Sequence, residues 1–555
     1  LSGQSLVRKS MLTLYKARSV ITMNPSMPRA SAVLVRDGNI LEVGEPERMQ
    51  PWLEGQQFTV DEQFADKIIC PGFIDPHLHP SMAAVILPME FITAMRWKLP
   101  WGDVEPVTDP AAFDARMQAL HRSKPAEEPL FIWGYHQLWH GEMDKARIQQ
   151  VSDQRPIIVW HRSFHELYMN DPAMSAAGID PVQIKPGLQI DIDQGHFFEV
   201  GLGFAINRLN PWILAPEKYA EGLRRLKQVV HHGGHTSIGD LATGMFNLDA
   251  EAKALTEQLE GDDVPFRTRL VVHGTRLTHG GRKPEEGPAM AADLLRHNSH
   301  RLSFGRHIKL FSDGAFFSQL AQMQEPGYID GHHGEWLAAP EELERHIRAY
   351  WHAGYQIHVH VTGDLGLELT LDILQKMQEE KPRFSHGFTF EHFGFSTPEQ
   401  IRRIKALGAQ VSANVYYLHE LSDSYAKSGI GYERASQMAR IGSCFAAGIN
   451  TTVHSDFTMA PAEPLNSIWV AVNRMNHRGQ VMGAAEKLTQ QQALEAITIN
   501  AAHTIGMADI TGSLRAGKRA DFTVLDDDPL NCDPMALRDI GIHATVFEGR
   551  VFPIP

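Results

Sequence analysis

The sequence predicts an α/β chain built on a (β/α)8 barrel. A small β-sandwich domain is expected from both chain ends, and an inserted subdomain after the first barrel strand. Three observations lead there. The middle of the chain alternates short apolar runs with amphipathic stretches, the pattern of a parallel sheet made of βα units, and eight such runs can be counted, the number that closes a barrel. Both ends are alternating and turn-rich instead. A long gap from Ser81 to His231 separates the first run from the second.

Taken in order, Leu12 to Cys70 carries SAVLVRDGNILEVG, with turn chemistry at Asp37-Gly38-Asn39, and reads as a hairpin. The first barrel strand is expected in IICPGFID, residues 68–75. Residues 97–212 hold an apolar run of their own, PIIVWH, among Trp- and Pro-rich turns, and are read as the insertion over one edge of the barrel. The remaining strands follow as HTSIGD (235–240), RTRLVVH (267–273), HIKLFSDG (307–314), YQIHVHVTGD (355–364), FTFEHFG (388–394), AQVSANVYYL (409–418) and NTTVHSD (450–456). Helices fit between most of them; APEELERHIRAYWHAG, for example, starts at a turn and stops at Gly354. The tail, GSLRAGKRADFTVLDDDP and then HATVFEGRVF with a turn at Glu548-Gly549, returns to the style of the beginning. Isolated hairpins are only marginally stable, so the two ends are expected to assemble with each other. This divides the chain into residues 11–69 and 506–555 for the β-sandwich and 70–505 for the barrel. The opening LSGQSLVRKS lacks the apolar core of a signal peptide, and Met11 reads as a credible native start.

Composition narrows the function. Lys and Arg number 52 against 66 Asp and Glu, a formal charge of −14, and the excess is scattered rather than gathered. No basic stripe offers itself to a phosphate backbone, so nucleic acid is not an expected partner. The apolar stretch Met82 to Ile92 is broken by Pro88 and Glu90, too short and too polar to span a bilayer. Cys70, Cys444 and Cys532 are far apart and odd in number, against a disulfide framework and in favour of the reducing cytoplasm. Histidine is the unusual type, with 29 residues in 555.

The chemistry-bearing residues fall at strand ends. In PGFIDPHLHP, His77 and His79 stand at i and i+2, one face of a strand, where two neutral imidazoles make half of a zinc site. Lys309, between Ile308 and Leu310, shares the inner face with His307 and Phe311; a lone ammonium there must be paired, with an acid such as Asp313, or neutral, or chemically modified. His360 and His392 each end a strand, where a satisfied core histidine is the usual occupant. Asp456 ends the eighth run with His454 on the same face, and an Asp there is commonly a turn or helix-cap residue. His358 lies one layer deeper than His360 and reads as a core group or one that orients a ligand. The neighbouring pairs His231-His232 and His332-His333 point different ways along an element and read as structural or surface residues.

Together these motifs resemble the amidohydrolase superfamily, in particular its YtcJ-like branch (amidohydrolase family 3), which includes N-substituted formamide deformylases. The resemblance rests on PGFIDPHLH, KLFSDG, HVTGD, FEHFG and HSD in that order, and on the tail from Gly512 to Pro529. It implies a TIM barrel with one or two divalent metal ions, usually zinc. His77 and His79 would hold one ion, His360 and His392 the second, and Lys309, carboxylated by CO₂, would bridge them. Asp456 would touch the first ion and act as general base and then general acid, with zinc lowering the pKa of its water to about 7. In the insertion, SFHELYMN and DIDQGHFFEVG resemble family segments, which makes His165, Asn170 and Glu199 candidate substrate-binding residues, although Asn170 equally suits an N-cap before DPAMSAAGI. The implied activity is hydrolysis of a non-peptide C–N bond in a small amide, formamide or cyclic amide. C–O hydrolysis, deamination by the same site and a non-catalytic protein keeping the fold stay open, as does a homo-oligomer. HVTGDLG, FFSQLAQ and HSDFT depart from the usual family loops, so substrate is less defined than chemistry.

Overall fold

The computed structural model describes residues 12–184 and 187–555; Met11 and the ten residues before it lie outside that range. All eight apolar runs contribute strands to one parallel sheet: β1 (Phe73–Leu78), β2 (His235–Thr243), β3 (Arg267–His273), β4 (Leu302–Phe311), β5 (Gln356–Val361), β6 (Thr389–His392), β7 (Gln410–Ala413) and β8 (Thr451–Val453). They lie in sequence order. At the C-terminal mouth the two margins meet, where Asp456 N–H donates to the His77 carbonyl at 3.0 Å and His79 N–H to that of Phe457 at 2.9 Å. The sheet is thus curved into a nearly closed barrel. Every residue of β1 and of β2 is buried, as expected of parallel strands covered on both faces.

The helices follow from their sequences. Pro340–His352 buries Leu343, His346, Ile347, Tyr350 and Trp351, a single stripe at helical spacing, and the chain turns at Gly354 with φ +83°. Pro398–Leu407 opens with a Thr397/Gln400 capping box and ends at left-handed Gly408.

The expected first strand at 68–75 is divided between two sheets. Thr59–Pro71 belongs to the terminal β-domain, pairing antiparallel with Phe522–Leu525, and the barrel strand runs only from Phe73. The break falls at Gly72, where a Cβ would stand 1.9 Å from Thr236 Oγ1. An unbroken apolar run conceals this change of sheet. The two chain ends do form one β-domain, as a single continuous seven-stranded sheet in place of two facing ones. It curls round a core including Tyr15, Val33, Phe64, Phe522 and Val546, and its far edge returns to the start of the C-terminal segment through Ile40 N–H to Lys518 O and Gly517 N–H to Ile40 O, both 2.8 Å.

Between β1 and β2 the chain builds a six-stranded sheet from Glu90–Phe91, Leu130–Tyr135, Ile157–His161, Glu166–Met169, Ile190–Asp191 and His196–Phe198. Ile157–His161 and Glu166–Met169 form an antiparallel hairpin whose loop, residues 162–165, faces the barrel mouth. Among the described residues no helix is long and apolar enough to cross a membrane, and Cys70, Cys444 and Cys532 are free thiols.

Candidate metal centre

Strand alternation delivers most of the site. Lys309 pairs in register with His358, and Phe311 with His360, so alternate residues of β4 and β5 face the axis. Three other residues need an unusual backbone. His392 (φ +71°), Phe393 (φ +49°) and Asp456 (φ +55°) are left-handed non-glycine residues, a conformation costing about 1–3 kcal/mol each and found mainly where function over-determines it. The turn at His392 lets Glu391 and His392, neighbours in sequence, both reach the interior.

Asp456 sits at the centre of the cluster. Its Oδ1 lies 3.0 Å from His79 Nε2 and 3.4 Å from His77 Nε2, and its Oδ2 3.4 Å from His392 Nδ1. The His360 and His392 rings are 4.2 Å apart between centroids, His77 and His392 4.7 Å, and Lys309 Nζ is 3.5 Å from His392 Nε2. Among the described residues two triads bring their ligand atoms within 4.8 Å of one another: His77, His79 and Asp456, and His77, His392 and His454.

The donor set fits a cation. His77 Nε2, His79 Nδ1, His360 Nε2, His392 Nδ1 and His454 Nε2 are all buried without a hydrogen-bond partner. A single such atom costs about 1–3 kcal/mol, so their concentration at one end of the barrel fits residues that hold a cation. Burial, reinforced by neighbouring cationic groups, pushes the His77, His360 and His392 imidazoles well below their ordinary pKa, which keeps them in the neutral form that binds metal.

Glu391 orients this set. Its Oε2 accepts from His77 Nδ1 at 2.7 Å and its Oε1 from His358 Nδ1 at 2.6 Å, which leaves His77 Nε2 as the lone pair facing the centre. Burial alone would raise the Glu391 pKa, but His358 and the charge of Lys309 outweigh it and hold the carboxyl below its usual range. His358 extends the chain downward to His307 at 3.0 Å.

Lys309 is fully buried, and burial lowers its pKa to about 8 despite the carboxylates of Glu391 and Asp456. Asp313 is not its partner. That carboxylate is spent on the backbone N–H groups of Gln322, Thr362 and Gly363 and on the Thr362 hydroxyl, at 2.8–3.0 Å. Among the described residues no carboxylate is ion-paired with Lys309, which leaves the neutral and the modified amine of the three sequence-based options.

A cavity of about 90 Å³ opens above the cluster, lined by His79, Lys309, His360, His392 and Asp456 on one side and by Ser163, Phe164 and His165 of the insertion hairpin on the other. His165 donates from Nδ1 to Glu199 Oε2 at 3.0 Å, so Glu199 acts on the site through His165 and does not line it. Burial lowers the His165 pKa, but Glu199 and Glu166 more than reverse this and the net direction is upward. Asn170 is a correction. It stands at the opposite end of the hairpin strand from His165; its Oδ1 accepts from Ala173 N–H and Ile157 N–H, and its Nδ2 donates to the carbonyls of Ser152 and Arg155. It is a helix N-cap with every polar atom used, and contributes nothing to the cavity. His231 and His332 bond to the carbonyls of Phe552 and Gln319, away from the cluster.

Sequence reasoning missed Glu391 as the residue orienting His77, and Arg162. The Arg162 guanidinium is buried, donates twice to the Met459 carbonyl at 2.9–3.0 Å, pairs with Glu420 and lies over Phe317 at 4.8 Å. It ties the insertion to the loop that follows Asp456. A charged residue inside an apolar run, in VWHRSF, was the available signal.

A family model described as amidohydrolase family matches residues 65–553. The chain is 24% identical over 569 residues to YtcJ of Bacillus subtilis, named as an amidohydrolase, covering 98% of this chain and 99% of that one. It is 24% identical over 546 residues to the N-substituted formamide deformylase of Arthrobacter pascens, covering 96% of each. An uncharacterized metal-dependent hydrolase from Pyrococcus horikoshii superposes with a TM-score of 0.72 at 20% identity, over 94% of this chain and 99% of that one, which shows the shared fold.

Proposed function

Since the chain belongs to the amidohydrolase family, we propose that it is a metal-dependent hydrolase acting on a non-peptide C–N bond of a small amide, formamide or cyclic amide. The observation that carries this reading is the buried carboxylate of Asp456 with His79 Nε2 at 3.0 Å and the unpartnered His77 Nε2 and His392 Nδ1 each at 3.4 Å. The resemblance of this chain to a formamide deformylase along its whole length supports the choice of bond.

His77, His79 and Asp456 would hold one divalent ion, and His360, His392 and Lys309 a second. Zinc suits these nitrogen and oxygen donors. Such an ion supplies a Lewis-acidic centre that polarises a carbonyl and brings the pKa of water to about 7. The residues do the rest. Asp456 would accept the proton of the attacking water and then deliver it to the departing nitrogen. His165, fixed through Nδ1 by Glu199, presents Nε2 to the substrate, and the hairpin loop above it excludes bulk water. Lys309 would become an oxygen ligand if its neutral amine adds to CO₂, forming a carbamate and releasing one proton; this turns an unpaired buried amine into an anion.

Asp456→Asn tests the assignment. Metal-loaded variant protein is expected to keep its metal and to lose turnover by about 10²–10⁴-fold against a panel of formamides, N-acyl amino acids and cyclic amides. Activity equal to the wild type would show that the base is another residue.

A further inference from the structure

We infer that the substrate of this site is an uncharged amide whose apolar substituent rests among methionine and phenylalanine side chains of the cavity wall. The inference rests on the hydrolytic reading above and adds the substrate class to it.

Apart from the residues assigned to metal, the wall consists of Met82, Phe164, Met245, Phe311, Ala315, Phe317 and Met459, and among the described residues only Ser163, His165 and Tyr417 add polar side-chain atoms. None supplies a net charge. His165 is matched by Glu199 at 3.0 Å, with the buried Glu166 behind it, so a substrate carboxylate would meet two acids beyond the imidazole. Arg162, the nearest guanidinium in sequence, is turned away and occupied by the Met459 carbonyl and Glu420. An ammonium fares no better, because among the described residues the only acid lining the cavity is Asp456, already shared among three histidines. A charge on the substrate that rests against this wall would therefore meet no free opposite charge there, a costly arrangement in a partly desolvated site.

The same wall has what a neutral amide needs. Thioether and aromatic groups are polarisable and adapt to an alkyl or aryl substituent. The Tyr417 ring packs against Phe317 at 5.2 Å and its side chain lines the cavity. Its phenol lines the same cavity as Asp456, where it offers a neutral hydroxyl donor to the substrate carbonyl.

The test uses zinc-loaded full-length protein and three formamides of matched length: N-butylformamide, N-(3-carboxypropyl)formamide and N-(3-aminopropyl)formamide. The butyl compound is expected to exceed both charged ones in kcat/KM by roughly 100-fold. Calorimetric binding of the same three to Asp456→Asn protein separates the two readings. Preferential binding of the butyl compound without hydrolysis by the wild type would uphold the inference and contradict the hydrolytic reading. Hydrolysis of a charged compound within about threefold of the butyl one, or failure of all three to bind, would overturn the inference. Met245→Lys gives a second check: it should improve the carboxylate-bearing compound about tenfold relative to the butyl one, and an unchanged ranking would contradict the proposed wall.

Discussion

Glu391 holds two histidines with its two oxygens, and His77 owes its tautomer to that contact. Glu391→Gln keeps the shape but replaces a carboxylate acceptor by an amide, so zinc affinity should fall about 10–100-fold with the fold intact. Competition with a chelator measures it, and unaltered affinity would mean that His77 is oriented by something else. Lys309 offers the next test at this scale. Its pKa of about 8 leaves part of the amine neutral near pH 7.5, able to take up CO₂. Metal content should drop in protein prepared free of carbonate and recover with bicarbonate, and Lys309→Ala should abolish the response; a response persisting in Lys309→Ala would exclude Lys309 as its source. These residues differed in how readable they were. His77, His79, Lys309 and His360 follow from period-two alternation at strand ends. Glu391 does not, because alternation sends it and His392 to opposite faces, and only the positive φ of His392 brings both inside.

The hairpin of Ile157–His161 and Glu166–Met169 has a different task at each end. One end presents Ser163, Phe164 and His165 to the cavity, clamped through Arg162 to Met459 and Glu420. The other starts a helix at Asn170. Asn170→Ala should therefore cost about 0.5–2 kcal/mol of stability for the lost cap and leave kcat/KM unchanged; a selective loss of activity in thermally stable protein would restore Asn170 to the site. All eight barrel strands were legible as apolar runs because parallel strands are buried on both faces and leave a dense signal. Their ends were less so. The passage from the terminal sheet to the barrel is set by the close approach of Gly72 to Thr236, a long-range contact that the run IICPGFID does not encode.

Across the whole molecule, several histidines away from the centre are held neutral by burial. His161, His235 and His140 are pushed down to about 4 and His273 to about 3, with burial the leading cause in each. Below about pH 6.5 the unfolded chain takes up protons at these positions and the folded chain does not, so stability is present above the unfolded pKa and is lost as pH falls from 6.5 towards 4. The melting temperature should decline steadily over that window, and a flat profile would contradict the buried neutral assignment. The β-domain is bound to the barrel through Arg267 at the start of β3, which pairs with the fully buried Asp521 and, at 3.1 Å, with Glu548. The excess of histidine in the sequence raised the question of metal, but only the convergence of strand ends in space selects which of them form the centre. The most direct test is the metal content of protein purified without chelator, beside His77→Ala/His79→Ala protein of matched fold by circular dichroism. The account predicts about one to two zinc-type ions per wild-type chain and loss of at least one from the double variant, whereas less than about 0.2 per wild-type chain after incubation with zinc and bicarbonate would contradict it.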